Sequence, residues 1–214
     1  MLHEVASFAI VAGLLTITPG LDTALVLRSA VRHGSRGGFA TALGINTGAL
    51  AWGVVASAGG SVVLDASETA YTMLRLAGAV YLLWLGGRML WRARRSADGD
   101  EGPSLLPADG EPWGDESTLR LWWRGVVTNA LNPKIGVFYM AVLPQFIPEG
   151  TSPLLAGIVL AVVHDIEGLL WFTLLIFGVR TFRAWLSRDA VKRWMDRVTG
   201  AVLIGFSVRL AAQG

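Results

Sequence analysis

Long apolar stretches alternate with short polar clusters along this chain, and the apolar stretches are too long for the core of a soluble fold. From Gly37 to Leu64 no side chain ionises, a run longer than the ~20 residues that cross a bilayer core. Six apolar segments can span in all: Val5–Val31, Gly38–Leu64, Ala70–Leu90, Leu121–Phe146, Pro153–Val179 and Arg197–Ala212. Each predicts a helix, because a backbone in lipid must satisfy its own polar groups. The expected fold is all-α, a polytopic transmembrane bundle of six helices.

Composition agrees with the pattern. Of 214 residues, 53% are hydrophobic and 16% charged, against about a quarter charged in a soluble domain; the mean hydropathy is +0.51. Cysteine is absent, which removes disulfides, thiolate metal sites and a cysteine nucleophile. Met1–Ala6 lacks the positive start of a cleaved signal, so the first apolar segment is expected to stay in the protein. The net charge of +2 comes from arginines near helix ends and carries topology, with no nucleic-acid footprint.

The cations sort by connection. Arg28, Arg32 and Arg36 surround the first, Arg88 to Arg124 flank the third, and Arg180 to Arg197 surround the fifth; the second and fourth carry Asp65, Glu68 and Glu149 instead. The positive-inside rule then places odd connections in the cytoplasm and both termini outside. The third connection, 96–118, is rich in Pro, Gly and acids and reads as a cytoplasmic solvent loop. It separates two three-helix halves, 1–95 and 119–214. The halves echo each other: Thr18-Pro19-Gly20 matches Asn132-Pro133-Lys134, Leu50-Ala51-Trp52 matches Leu169-Leu170-Trp171, and Arg75-Leu76-Ala77-Gly78 matches Arg197-Val198-Thr199-Gly200. Three helices per half invert the second half, a common transporter plan.

Pro19 and Pro133 fall near the middle of the first and fourth spans, where proline breaks a helix. Thr18 and Asn132 precede them as cap-type residues, so each motif reads as the start of a half-helix. Two half-helix N-termini at mid-depth, around Gly20 and Asn132, would face an anionic group such as a substrate carboxylate. Proline kinks repaired by neighbouring helices are the other reading. Asp22 and Lys134 stand beside these breaks, where charge is costly. They are candidates either for a structural ion pair or for substrate contact, and both can hold in different states.

The fifth span carries His164, Asp165 and Glu167 near its centre, and the Trp52/Trp171 match aligns Asp165 with Asn46. Intramembrane acids point to ion or proton handling. Asp165 and Glu167 lie about 200° apart on a helix, so one is expected to face the pathway, and Asp165 is favoured by its polar counterpart. Too few partner ligands surround His164 and Glu167 for a metal site. Gly44-x-x-x-Gly48 permits close helix packing. Most tryptophans lie near span ends, as an aromatic belt requires.

The two proline motifs resemble those of the LysE/RhtB family of amino-acid exporters. Thr18-Pro19-Gly20-Leu21-Asp22 is similar to the family's Pro-Gly-Pro-Asp/Asn signature, with Leu21 in place of the second proline. Asn129-Ala130-Leu131-Asn132-Pro133-Lys134, then Phe138 and Leu143-Pro144-Gln145-Phe146, is the second motif, and the resemblance runs from about Phe8 to Leu210 without the acidic loop. Asp165-Ile166-Glu167 departs from the general signature. The resemblance implies export of small amino acids from the cytoplasm of a bacterium across its inner membrane, coupled to the proton motive force, with no cofactor. Thr18, Pro19, Gly20, Asp22, Asn46, Asn129, Asn132, Pro133 and Lys134 are then the candidates for substrate binding, and Asp165, Glu167 and Asp22 for proton coupling. Partners are an amino acid, protons and the bilayer; Gly-rich helix faces also allow a homo-oligomer.

Other classes fit less well. There is no P-loop and no H-E-x-x-H, and an intramembrane enzyme leaves the two matched breaks unexplained. A channel, or an exporter of another small cation or metabolite on the same fold, is the alternative.

Overall fold

The computed structural model describes residues 2–18, 20–66, 68–95, 116–148, 150–179 and 188–212, almost all of them helical. In chain order the helices are α1 (Leu2–Ile17), α2 (Leu21–Ala66), α3 (Glu68–Arg95), α4 (Thr118–Ala130), α5 (Pro133–Val142), α6 (Pro153–Phe177) and α7 (Asp189–Ala212), with a 3-10 turn over Leu143–Phe146 after α5. Pro19, Glu149 and residues 96–115 of the expected acidic loop lie outside the described residues.

The chain is a helical membrane protein, and α6 shows why. Leu155, Val159, Val162, Ile166, Leu170, Leu174 and Phe177 recur every three or four residues and point outward, Leu170 63% and Phe177 74% exposed. His164 and Gly168 lie on its buried side. A soluble helix puts its apolar stripe inward; this arrangement needs lipid around it. Among the described residues two helices are long and apolar enough to cross a bilayer, Leu21–Gly59 and Pro153–Phe177, and α4 with α5 and its turn, bent by 56°, makes a third if the pair is one span.

α2 is not one rod. Gly34 has φ 66° and ψ −169° inside it, a conformation that glycine adopts without a Cβ penalty. Thr41 Oγ1 donates to Ser29 Oγ at 2.8 Å, although 12 residues of straight helix extend about 18 Å. The chain therefore doubles back at Gly34, and residues 21–33 lie against the first turns of the second arm, as far as Ile45. Val26, Leu27 and Ala30 from one arm pack with Ala42 and Ile45 from the other, over Phe172 and Leu175 of α6.

Small residues set the other contacts. A Cβ at Gly44 would meet the carbonyl of Trp122, and one at Gly125 the carbonyl of Thr41, so α2 and α4 touch backbone to backbone. Gly86 and Gly200 do the same for α3 and α7, each Cβ position under 3 Å from the other's carbonyl oxygen. The main core joins Phe8, Ala12 and Leu15 of α1 to Leu82 of α3, Phe138 and Tyr139 of α5 and Leu160 of α6.

Some boundaries differ from expectation. α7 begins at Asp189, about two turns before the predicted Arg197. Lys192, Arg193 and Asp196 hid those turns from a search for apolar runs, yet polar turns at a span's end are helix-competent, and Met195 among them is buried.

Candidate functional site

Both motifs interrupt their helices. At the second, Asn132 is extended and its Oδ1 accepts from the backbone N–H of Lys134 at 3.1 Å, with Pro133 in the first turn of α5, as the capping argument expects. The first motif differs from its expected reading. Thr18 does not cap the following helix; its Oγ1 donates back to Leu14 O at 2.8 Å and is hydrogen-bonded to Thr199 Oγ1 of α7. α2 starts after Gly20, whose carbonyl accepts from Ala24 N–H. A threonine hydroxyl one turn above a helical carbonyl bonds it readily, so Thr18 finishes α1.

The breaks meet in one cavity of about 40 Å³. Of the residues expected in the site, Thr18, Gly20, Asp22, Asn46, Asn129, Asn132, Lys134 and Asp165 line it. Pro133 is exposed at the start of α5, and Glu167 lies against Gly13 of α1, its Oε1 3.6 Å from where a Cβ would stand. Leu15, Thr16, Thr23, Ile45, Ala49, Ile135, His164, Gly168 and Phe172 complete the lining.

Asp22 Oδ2 accepts from Asn129 Nδ2 at 3.0 Å and from Asn132 Nδ2 at 3.2 Å, and it sits in the first turn of α2, where a negative charge suits the helix dipole. Among the described residues, its Oδ1 and the neighbouring Asn129 Oδ1 are buried without a donor. Buried acceptors in native proteins are nearly always paired. Both residues line the cavity, and neither acceptor finds a donor among the described residues.

Lys134 has an unfavourable place at the N-terminus of α5. Its Nζ reaches across instead and donates to the carbonyls of Leu15 (3.1 Å) and Thr18 (3.4 Å). These are end carbonyls of α1, where the dipole is negative. The carboxylates of Asp22 and Asp196 add negative charge nearby. Among the described residues no ion pair joins Asp22 to Lys134; each is held by other groups. The N–H groups at the start of α5 are taken as well: that of Lys134 by the Asn132 side chain, those of Ile135 and Gly136 by the Asn132 carbonyl. The positive element on that side is thus the ammonium itself.

On the facing wall, Asn46 Nδ2 donates to the backbone carbonyl of Asp165 at 2.6 Å. His164, 7% exposed, is hydrogen-bonded through Nδ1 to the Tyr139 hydroxyl at 2.9 Å. Sequence reasoning gave His164, Tyr139, Thr199 and Asp196 no place in the site. His164 was noted near the centre of its span but weighed only as a metal ligand; the others have no signal before helix packing is known. Among the described residues, no cluster of His, Asp and Glu could hold a metal ion.

The family model for the LysE type translocator matches residues 14–214. An uncharacterized membrane protein of Bacillus subtilis (strain 168) is 28% identical over 208 residues, 97% of this chain and 98% of its own. The leucine efflux protein of Klebsiella pneumoniae is 28% identical, covering 96% of this chain and 93% of its own. The threonine efflux protein of Escherichia coli (strain K12) is 26% identical over 98% of both chains. No solved structure matches.

Proposed function

Because the chain belongs to the family of LysE type translocators, we propose that it exports small amino acids from the cytoplasm by proton antiport, across the inner membrane of a bacterium. The relatives named for leucine and threonine efflux support the substrate class. The observation that carries the reading is the charge arrangement of the cavity. The donor-less acceptors Asp22 Oδ1 and Asn129 Oδ1 suit a substrate ammonium, which brings three N–H donors. The third donor of Lys134, left after Leu15 O and Thr18 O, suits the carboxylate. A cavity of about 40 Å³ has room for a few waters, so the walls must part to admit a substrate.

In this reading α1 and residues 21–33 form a broken first span, α4 with α5 the broken fourth, and the halves 1–95 and 119–214 are inverted repeats around the cavity. Residues 96–118 lie in the cytoplasm and both termini outside. Pro19 and Pro133 set the breaks, and Asp165, on the cavity wall, carries the coupling proton, with Asp22 and Glu167 as further acids.

The test is counterflow in proteoliposomes holding the whole protein, in which a carrier exchanges labelled for unlabelled amino acid and a channel does not. Asp22→Asn and Lys134→Met should each abolish counterflow with the protein still in the membrane. A double neutral variant that regains activity would show that the two charges only balance each other, and would remove them from substrate contact.

A further inference from the structure

The helices fall into two bodies joined by a narrow seam. α2 packs along α4 and α6, and α1 lies on α6, while α7 packs chiefly along α3, so closely that the carbonyls of Gly86 and Gly200 set the distance. Among the described residues, the α3–α7 pair meets the rest sparingly. Gly78 faces Ala141 of α5, and Ala79, Leu82 and Leu203 reach the main core. Apolar attraction is non-directional, and a glycine against an alanine offers no knob to lock the seam. A directional bond crosses it at the end of α1, where Thr18 Oγ1 is hydrogen-bonded to Thr199 Oγ1 of α7, both residues buried. Thr18 lines the cavity, whereas Thr199 stands behind it, outside the lining.

The same end of α1 is tied to the charge arrangement of the cavity. Lys134 Nζ donates to Leu15 O and Thr18 O, so Thr18 is held by its carbonyl on one side and by its hydroxyl on the other. A carboxylate that engages the remaining N–H of Lys134 is a stronger acceptor than either carbonyl and draws the ammonium away from them. The hydroxyl pair is neutral on both sides, about half as strong as a bond to an ionised group, so it can break and re-form in each cycle. Carriers built from repeats work by rocking one group of helices against another. We propose that Thr18–Thr199 is the gate contact of this carrier: a substrate carboxylate on Lys134 loosens the end of α1, the two hydroxyls part, and the α3–α7 pair swings away from α1. Thr199 is then a positioning residue that never touches substrate. This rests on the exporter reading and names the contact that moves within it.

The chain has no cysteine, so Thr18→Cys with Thr199→Cys supplies a single pair. Its sulfurs would stand where the hydroxyls already meet, within reach of a disulfide. The full chain is placed in proteoliposomes, and counterflow is measured with a labelled mixture of small uncharged amino acids. Oxidation of the double variant with copper phenanthroline should stop counterflow and dithiothreitol should restore it, with neither single variant responding. An excess of the unlabelled mixture should slow formation of the disulfide by about threefold, the effect of weakening a single hydrogen bond. Thr199→Val, which keeps the shape but lacks the bond to be broken, should exchange faster than the wild type by a similar factor. Thr199→Ser, which keeps the hydroxyl, should not gain that speed. Undiminished counterflow in cross-linked protein would overturn the proposal, as would a disulfide that forms equally fast with and without substrate. So would a Thr199→Val that exchanges at the wild-type rate or below it, an outcome readable even where the cysteine pair fails to fold. Absence of counterflow in the wild type would instead overturn the exporter reading beneath it.

Discussion

The side-chain amide of Asn46 is hydrogen-bonded to the backbone carbonyl of Asp165 at 2.6 Å, which ties the second arm of α2 to the middle of α6. The bond engages only the main chain of Asp165, a residue of the cavity lining. Asp165→Asn is expected to keep measurable exchange of labelled amino acid but to lose acceleration by an imposed pH gradient. Glu167→Gln, altering a side chain that faces Gly13 of α1, should be milder. Vesicle export at two gradients checks both, and an undiminished gradient response in Asp165→Asn would move the coupling role to Asp22.

Asn132 performs two tasks, since Oδ1 caps α5 and Nδ2 holds Asp22. Asn132→Ala should cost about 1 kcal/mol for the lost cap and remove a donor from a buried carboxylate, a further ~1–3 kcal/mol. Asn132→Asp keeps the cap but sets a second carboxylate against Asp22. It should retain more thermal stability than the alanine variant if the cap dominates, and less if the Asp22 contact does. Melting in detergent, followed by tryptophan fluorescence, separates these outcomes.

At the α2–α4 crossing, Gly44→Leu should reduce folded protein in the membrane sharply. Overpacking commonly costs about 1–3 kcal/mol, and here the obstacle is the Trp122 main-chain carbonyl, which no side-chain rotation moves aside. Gly87→Leu is the control, because its Cβ position meets nothing within 4 Å. Equal yields of the two variants would mean that the helices separate at little cost.

Topology reporters give the fourth prediction. Tags at Gly34 and Gly102 should report cytoplasm and a tag at Gly150 the exterior. The reverse pattern at Gly102 and Gly150 would remove the inverted arrangement of the halves.

Much of the site was legible in the sequence because it rests on local chemistry. Proline after asparagine forces a break and a cap wherever it occurs, and an aspartate or lysine inside an apolar run is conspicuous by its cost in lipid. What was illegible depends on contacts between distant segments. The partners of Lys134 are main-chain carbonyls of α1, which leave no trace in residue identity. Thr18 was read forward as a cap, yet it bonds backward to Leu14, and either direction is open to a threonine beside a proline. The turn between the first two segments was expected somewhere between Val31 and Gly38; its reduction to Gly34 alone depends on a positive φ that one glycine among several takes.

The hairpin at Gly34 also decides where this molecule has slack. A loop of many residues would let the two arms of α2 slide past each other. A one-residue reversal, buttoned by Ser29 and Thr41 and by Gly38 against Ala30, makes them a single lever. The neighbouring joints are then the break between α1 and α2 and the interruption at 131–132, and these are the places from which Thr18, Asp22, Asn132 and Lys134 reach into the cavity. Any ligand that pulls on those side chains pulls directly on the hinges.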